Sequence, residues 1–223
     1  MLNIAHRGAS AHKPENTLAS FQKALDLNVD MIELDLRCSK DGKLIVIHDE
    51  TVNRTANGRG KVCNKDLGQI KLLDAGGGEL IPTLEEALEL MGGKCLINIE
   101  IAERGVAKRL AEALQPLYYI WDSIVISTFL FKELKIFYYY MPTMKVSYLS
   151  DELTIRSMKE ISQLPIYSLN LNKELLKEGV VEWLHSLFFK VFTFTVNNVE
   201  ELEQMRNLNV DGVFTDCPDI FHI

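Results

Sequence analysis

Two carboxylates alternate with apolar side chains in one short segment, and this spacing suits the binding of a cation. In MIELDLRC, the acids Glu33 and Asp35 alternate with Ile32, Leu34 and Leu36. Side chains two positions apart on a β-strand point to the same face, so the acids lie about 7 Å apart along the strand. Like charges at this separation are costly in an interior unless a cation lies between them. The simpler alternative is a pair of salt bridges at the rim of a sheet.

A third acid, Glu100, ends the apolar segment CLINIEI. Three carboxylates form an all-oxygen ligand set, which favours Mg²⁺ or Ca²⁺ over zinc. The cysteines are widely spread and form no C-x-x-C pair, which argues against a zinc site or a redox motif. The acids Glu33, Asp35 and Glu100 are therefore the candidate metal ligands.

Two histidines also follow apolar segments. His6 comes after the first segment, with Arg7 beside it, and His48 ends LIVIHD. The Asp41-Gly42 turn predicts an antiparallel hairpin that brings His48 opposite the carboxylates of MIELDLRC. A lone histidine in such a place is usually structural. Two histidines near three acids can instead divide the roles of general base and general acid.

Alternating β-rich and helical patterns predict an α/β fold of parallel strands joined by crossover helices. Eight strands alternating with helices fit a compact (β/α)8 TIM barrel, and a doubly wound open sheet is the alternative. In a barrel, the polar strand ends converge at one mouth. The predicted strands are 2–6, 31–36, 95–100, 123–127, 145–148, 166–171, 191–195 and 212–215.

Local signals predict where the first helices begin. Asn16 is placed to cap a helix over 17–27, and Thr83 with Glu86 forms a capping box at the start of another. The hairpin after the second strand breaks the crossover pattern. We therefore expect a small insertion over about 48–78 within a single domain of residues 1–223.

Composition limits the classes of partner. The chain has 24 Lys plus Arg against 31 Asp plus Glu, a net charge of −7, which opposes binding to nucleic acid. No run of about 18 apolar residues and no secretory pattern is present, so we expect no membrane span and a cytoplasmic protein. A small molecule is the expected partner, and the oligomeric state is left open.

The motifs together resemble the glycerophosphodiester phosphodiesterase family, of the bacterial single-domain type. The resemblance runs from residue 4 to about residue 220 and is weakest over 101–190. Each motif alone is a weak signal, and their order and spacing make the combination specific. The motifs are HRG, PENT, IELDL, DGKLIVIHDETVNRT, IPTLEEAL, LINIEI, FTFTVN and VDGVFTDCPD.

The resemblance implies a TIM barrel and metal-dependent hydrolysis of glycerophosphodiesters to sn-glycerol 3-phosphate and an alcohol. It places general acid and base catalysis on His6 and His48, with His6 taken as the base, although the two roles are interchangeable from sequence. It places the metal on Glu33, Asp35 and Glu100. It also places phosphate binding on Arg7.

The chain departs from the family pattern at two positions. Ala102 stands where the family usually has a lysine that faces the phosphate, and Phe194 replaces the tryptophan of a WTVN motif, so an apolar substrate wall lacks the indole N–H. The leaving alcohol and the choice between Mg²⁺ and Ca²⁺ stay open. The alternatives are a lysophospholipase D-like or other phosphodiesterase on the same barrel, and a non-catalytic phosphodiester-binding barrel.

Overall fold

The computed structural model describes residues 1–222, with every side chain in that range except that of Arg156. The β-strands are β1 (Leu2–Ala5), β2 (Met31–Cys38), β3 (Leu44–Val46), β4 (Leu96–Ile101), β5 (Ile124–Thr128), β6 (Lys145–Ser150), β7 (Ile166–Asn172), β8 (Lys190–Phe194) and β9 (Gly212–Thr215). The α-helices are α1 (Leu18–Asp26), α2 (Leu67–Ile70), α3 (Leu84–Met91), α4 (Ala107–Leu114), α5 (Phe131–Tyr140), α6 (Ile155–Ile161), α7 (Val180–Ser186) and α8 (Val199–Asn207). Short 3₁₀ segments cover Val62–Asn64, Gln115–Ser123, Lys173–Leu175 and Pro218–His222.

Eight of these strands close into a parallel barrel. Around the ring they follow the order β1, β9, β8, β7, β6, β5, β4 and β2, and β1 pairs with both β9 and β2. The predicted TIM barrel is confirmed, and the closure excludes the open sheet. Each predicted strand overlaps one parallel strand of the ring. The carboxyl ends of all eight therefore face one mouth.

The two faces of each strand bury different sets of side chains. Ile4, Met31, Phe192 and Phe214 come from four strands and pack together inside the barrel. Gly212 lies beside this cluster, and a Cβ there would stand 2.9 Å from the Phe192 ring. The opposite strand faces pack under the helices as the main core. This alternation follows from the two-residue period of a strand.

The helix starts agree with the sequence signals in one case and differ in the other. Thr83 caps α3, and Glu86 completes the predicted capping box. The predicted Asn16 cap is wrong, because Thr17 caps α1 together with Ser20. Asn16 instead has a positive φ of 56° and turns its amide toward the barrel mouth, where it donates to Asp35.

The hairpin after β2 has the predicted antiparallel form. Leu36 pairs with Val46, and the Ile47 amide donates to the Asp35 carbonyl at 3.0 Å, so the chain leads His48 back toward the acids of β2. Residues 47–83, which contain the predicted insertion of 48–78, separate β3 from α3. Part of this segment packs with β3 in a small hydrophobic cluster of its own, formed by Ile45, Ile47, Val52, Val62, Ile70, Ala75 and Ile81.

The barrel interior depends on its large apolar side chains. Phe192 is 0% exposed, whereas Phe188, in the turn before the same strand, is 96% exposed. We expect Phe192→Ala to lower the free energy of unfolding by about 3–5 kcal/mol, because it leaves a cavity inside the ring. Phe188→Ala is the matched control and should change it by less than about 0.5 kcal/mol. Urea denaturation of both variants measures this, and equal losses would contradict the assignment of Phe192 to the core.

Candidate active site

The turn after β1 places two consecutive side chains in one cavity. Arg7 has φ 56° and Gly8 has φ 80°, so the backbone turns sharply directly after His6. A Cβ on Gly8 would lie 2.7 Å from the Ser20 backbone, so a side chain there would force the two segments apart. In this conformation the Arg7 amide donates to Glu33 Oε2 at 2.8 Å. His6 and Arg7 therefore both line the mouth of the barrel.

The three predicted metal ligands meet in the structure. Asp35 on β2 lies directly beside Glu100 on β4, and Glu33 lies two positions earlier on the same face of β2. One carboxylate oxygen from each of the three acids lies within 4.8 Å of the others. Strand register thus brings together acids that are more than sixty positions apart in the sequence.

The charges of these acids are poorly compensated by the protein. Burial, followed by the charges of Asp35 and Glu100, raises the pKa of Glu33 well above its usual value. Burial and the charge of Asp35 raise the pKa of Glu100 to about 8. Glu33 Oε1 is buried and has no hydrogen-bond partner among the described residues. An unpartnered oxygen and excess negative charge in an all-oxygen set fit a divalent cation.

Arg7 supplies positive charge beside the acids. Its Nε lies 3.2 Å from Asp35 Oδ2 without hydrogen-bond geometry, and its Nη1 donates to Glu15 Oε1 at 2.9 Å. Burial acts to lower the pKa of Arg7, but the charges of Asp35, Glu33 and Glu15 outweigh it and raise the pKa. The guanidinium is therefore charged, and it points into a site where a phosphate could bind.

Each histidine of the mouth is held by a carboxylate through the same ring atom. His6 Nδ1 lies 2.7 Å from Asp216 Oδ1, and His48 Nδ1 lies 2.8 Å from Asp49 Oδ1. With Nδ1 donating to the carboxylate, Nε2 of each ring is left for the cavity that both histidines line. Burial acts to raise the pKa of Asp216, but hydrogen bonds, first from His6, lower it to about 2.

Arg54 ties the segment after β3 to the barrel. Its Nε and Nη2 donate to Asp49, and its Nη1 and Nη2 donate to Glu15, at distances of 2.6–2.9 Å. Glu15 also binds Arg7, so the contacts are continuous from one histidine to an acid of β2. We call this series the ion-pair chain: His48, Asp49, Arg54, Glu15, Arg7 and Asp35.

A cavity of about 220 Å³ joins these groups to an apolar wall. His6, Arg7, Glu33, His48 and Glu100 line its polar side. Phe129, Leu149, Phe194 and Phe214 line the other side, with Asp151 and Thr195 at the same surface. Larger hollows elsewhere, such as the 680 Å³ groove between α8 and the segment before α7, contain no comparable cluster of acids and histidines among their lining residues.

The structure thus brings together all seven residues predicted for the site, His6, Arg7, Glu33, Asp35, His48, Glu100 and Phe194. Sequence reasoning assigned none of the residues that hold them to the site, and it interpreted Asn16 as a helix cap. Asn16 donates to Asp35 Oδ2 at 2.8 Å, and Glu15, Asp49, Arg54 and Asp216 form the contacts described above. All five lie inside the recognised motifs PENT, DGKLIVIHDETVNRT and VDGVFTDCPD, and membership of these motifs was the available signal.

No lysine is among the residues that line this cavity, in agreement with Ala102 at the position after β4. Arg7 is the one arginine or lysine among the residues that line the cavity. The acids and histidines provide most of the remaining polar surface. A closed barrel with such a mouth defines a TIM-barrel enzyme suited to phosphate-ester chemistry.

Comparison with known proteins identifies the family. The chain matches the Glycerophosphoryl diester phosphodiesterase family over residues 6–220. It is 38% identical to a glycerophosphodiester phosphodiesterase of Caldanaerobacter subterraneus, over 98% of this chain and 95% of the relative. A glycerophosphodiester phosphodiesterase structure from Thermotoga maritima is 31% identical, has a TM-score of 0.85 and is matched over 100% of this chain and 97% of that chain.

A second solved structure shows a bound product. It is an Oleispira antarctica phosphodiesterase in complex with sn-glycerol-3-phosphate, with a TM-score of 0.92, 27% identity and coverage of 98% of this chain and 94% of that chain. The chain belongs to the glycerophosphoryl diester phosphodiesterase family. The predicted family and enzyme class, a phosphodiesterase acting on glycerophosphodiesters, are confirmed. Among residues 1–222, no helix is long and apolar enough to cross a membrane.

Arg54 should control the order of the segment after β3. We expect Arg54→Met to speed amide hydrogen exchange over residues 48–60 by about tenfold, because both of its bidentate contacts are lost. Global stability should fall by no more than about 1 kcal/mol, since the guanidinium is half-exposed. Lys61→Met is the matched control, because it breaks the Lys61–Glu50 pair of the same segment without touching the ion-pair chain. Equal exchange in both variants would contradict a tethering role for Arg54.

Glu100 should make the metal-free protein less stable as the pH rises. Below about pH 4.5 the carboxyl is protonated in both states, and between 4.5 and about 8 the unfolded chain loses the proton that the folded chain retains. The free energy of unfolding therefore falls across this window. In chelator, Glu100→Gln should become more stable than the wild type by a margin that grows with pH.

Thermal unfolding between pH 5 and 8 measures this margin. Added Mg²⁺ or Ca²⁺ should stabilise the wild type and reverse the order of the two proteins. Glu112→Gln, which changes an exposed acid on α4, should follow the wild type under both conditions. A constant difference between Glu100→Gln and the wild type across the pH range would count against the charge cluster.

Proposed function

We propose that this chain hydrolyses glycerophosphodiesters to sn-glycerol 3-phosphate and an alcohol in a divalent-metal-dependent reaction. The observation that carries the proposal is the mouth itself, where three clustered acids, Arg7 and two carboxylate-bound histidines share one cavity. The product bound to the Oleispira antarctica relative has the chemistry expected of this cavity. We treat residues 1–223 as one domain, in which the insertion of about 48–78 supplies His48.

Glu33, Asp35 and Glu100 would hold the metal, Mg²⁺ or Ca²⁺. Their fit rests on the clustered oxygens, the raised pKa of Glu33 and Glu100 and the unpartnered Glu33 Oε1. When bound, the ion supplies Lewis-acid stabilisation of charge on the phosphoryl oxygens and orients the diol of the substrate. Asn16 holds Asp35 in place from the side of α1.

The two histidines move the protons. In the proposed reaction the glycerol 2-hydroxyl attacks phosphorus, one imidazole accepts its proton, and the other donates a proton to the leaving alcohol. Water then opens the cyclic phosphate, with the two histidines in reversed roles. Both reactions use Nε2, because Nδ1 of each ring is committed to a carboxylate.

The carboxylate partners favour His6 as the base and His48 as the acid. Asp49 shares its negative charge with the Arg54 guanidinium. Asp216 has only Ser10, Asn197 and backbone groups beside His6 among its described hydrogen-bond partners, all of them neutral. The Asp216 charge is therefore free to stabilise a proton gained by His6. Asp49 is shared with a cation and Asp216 is not, and on this difference we assign the base to His6 and the acid to His48.

Arg7 binds the phosphate in this proposal, and Phe194 forms part of the apolar substrate wall. Nη1 of Arg7 donates to Glu15, and this contact orients the guanidinium. Nη2 is then the atom that would bind a phosphoryl oxygen. With Ala102 in place of a lysine, Arg7 and the metal carry the positive charge that faces the phosphate. The small-molecule diester is the proposed partner. A cytoplasmic location and the absence of nucleic-acid binding stay predictions from composition.

Lysophospholipids are the second substrate class, because a partly apolar hollow adjoins the cavity. A hollow of about 490 Å³ meets the cavity at Phe129 and is lined in part by Leu130, Phe131 and Ile136. Charged residues, among them Arg104, Lys132 and Glu152, also line it, so it is a poor site for an acyl chain. We therefore place the water-soluble diesters first.

The test measures release of sn-glycerol 3-phosphate from a panel of glycerophosphodiesters and lysophospholipids. We expect release to stop in chelator and to return with Mg²⁺ or Ca²⁺. His6→Ala and His48→Ala should each lower kcat by about 10²- to 10⁴-fold, the usual contribution of general acid or base catalysis. Glu33→Gln should lower metal affinity as well as kcat.

His12→Asn is the matched control for the histidine variants. His12 forms the same kind of close histidine–carboxylate pair, with Asp219 at 2.7 Å, but it does not line the cavity. It should retain wild-type turnover. Full activity of either cavity variant, or turnover that is unaffected by chelator, would refute the proposed roles. Metal binding without turnover of any diester would instead support a binding protein on this barrel.

A further inference from the structure

The cavity is too small to enclose a whole diester. Its volume of about 220 Å³ is below the range of roughly 300–1,000 Å³ that is usual for sites enclosing a small molecule. The glycerol phosphate part must reach the acids and Arg7, because the reacting phosphorus lies there. The leaving alcohol is consequently directed toward the open rim of the mouth.

The rim opposite the acids has a defined aromatic corner. Phe129 follows β5 and Phe194 ends β8, and their rings stand at 81° to each other with centroids 5.8 Å apart. Leu149 of β6 is buried and belongs to the same cavity wall. Phe129 is 40% exposed, so its ring is open to a group that leaves the cavity. The edge-to-face contact with Phe194 holds the Phe129 ring in place, and the exposed part of that ring is the aromatic surface at this rim.

A carboxylate lies beside this aromatic corner. Asp151 directly follows β6, which stands opposite β1 in the ring of eight strands, so Asp151 lines the cavity from across the mouth. Asn172 donates to Asp151 Oδ1 at 3.2 Å and orients the group. Among the residues that line the cavity, Asp151 is the charged side chain on this side, because the other charged groups come from β1, β2, β4 and the insertion.

Aromatic faces together with one carboxylate form a site for an organic cation. A quaternary ammonium or alkylammonium group is attracted by the ring quadrupole and by the negative charge, and it tolerates an apolar surface such as Leu149. A neutral polyol gains less from the same surface. The charged residues Arg104, Lys132 and Glu152 line the neighbouring hollow and not this cavity.

We propose that Phe129, Phe194 and Asp151 form a leaving-group site for cationic amino alcohols, so that glycerophosphodiesters with choline- or ethanolamine-type headgroups are the preferred substrates. The inference rests on the proposed function, since it assigns the headgroup of the same reaction. The products are sn-glycerol 3-phosphate and the free amino alcohol, with one water consumed. Asp151 and Phe129 act in binding, at a distance from the transferred protons.

The experiment compares kcat and KM for glycerophosphocholine, glycerophosphoethanolamine and the neutral-headgroup glycerophosphoglycerol. We expect the wild type to favour the two cationic diesters by about tenfold in kcat/KM. Asp151→Asn should raise KM for the cationic diesters by about fivefold and change the neutral diester by less than twofold, with kcat unchanged. Phe129→Leu keeps the wall apolar and should also weaken the cationic preference, because the ring face is lost.

Glu152→Gln is the matched control. It removes an acid one position further along the chain that lines the neighbouring hollow, so it should leave the preference intact. Equal kcat/KM for cationic and neutral diesters in the wild type would overturn the inference and leave the proposed function standing. Equal losses on all three diesters in Asp151→Asn would also overturn it, because the carboxylate would then bind the shared glycerol part. Failure of the wild type to cleave any diester would refute the proposed function together with this inference.

Discussion

Repulsion among three carboxylates is the constraint on which the rest of the mouth depends. Their oxygens lie within 4.8 Å of one another, and two of the three acids are buried. The fold provides the guanidinium groups of Arg7 and Arg37, the Arg7 amide and the Asn16 amide in partial compensation. The pKa of Glu100 nevertheless stays raised to about 8. The protein therefore maintains a local charge excess that a divalent ion would relieve.

The compensation reaches beyond the acids themselves. Arg7 is held by Glu15, which in turn binds Arg54, and Arg54 holds Asp49 beside His48. From Asp49 to Asp35, alternating charges along this ion-pair chain give each member a partner of opposite sign. As a result, the segment that carries His48 is positioned by the same groups that balance the acids of β2. One set of contacts thus both positions His48 and balances the charge of the acids.

Much of this arrangement was predictable from the sequence, for reasons that differ between residues. The acids Glu33 and Asp35 were found because a strand has a two-residue period, and the barrel because eight such segments alternate with helices. Glu100, His6 and His48 were found because each follows or ends an apolar segment, and the family resemblance added phosphate binding by Arg7. Asn16 was assigned wrongly, since a cap is a local property and its true partner, Asp35, lies nineteen positions away.

The contacts that hold the site were less accessible, because they join segments that only the closed barrel brings together. The link between Arg54 and Glu15 spans 39 positions, and that between His6 and Asp216 spans 210. The turn through Gly8 is a further example, because its positive φ is visible only in the structure.

The turn through Gly8 also limits how the site can be changed. His6 and Arg7 share one tight bend, so a backbone shift there displaces both together, whereas His48 is carried by a separate segment with its own small core. Redesign of the enzyme could exchange the His48 segment as a module, while the first turn has to be kept whole.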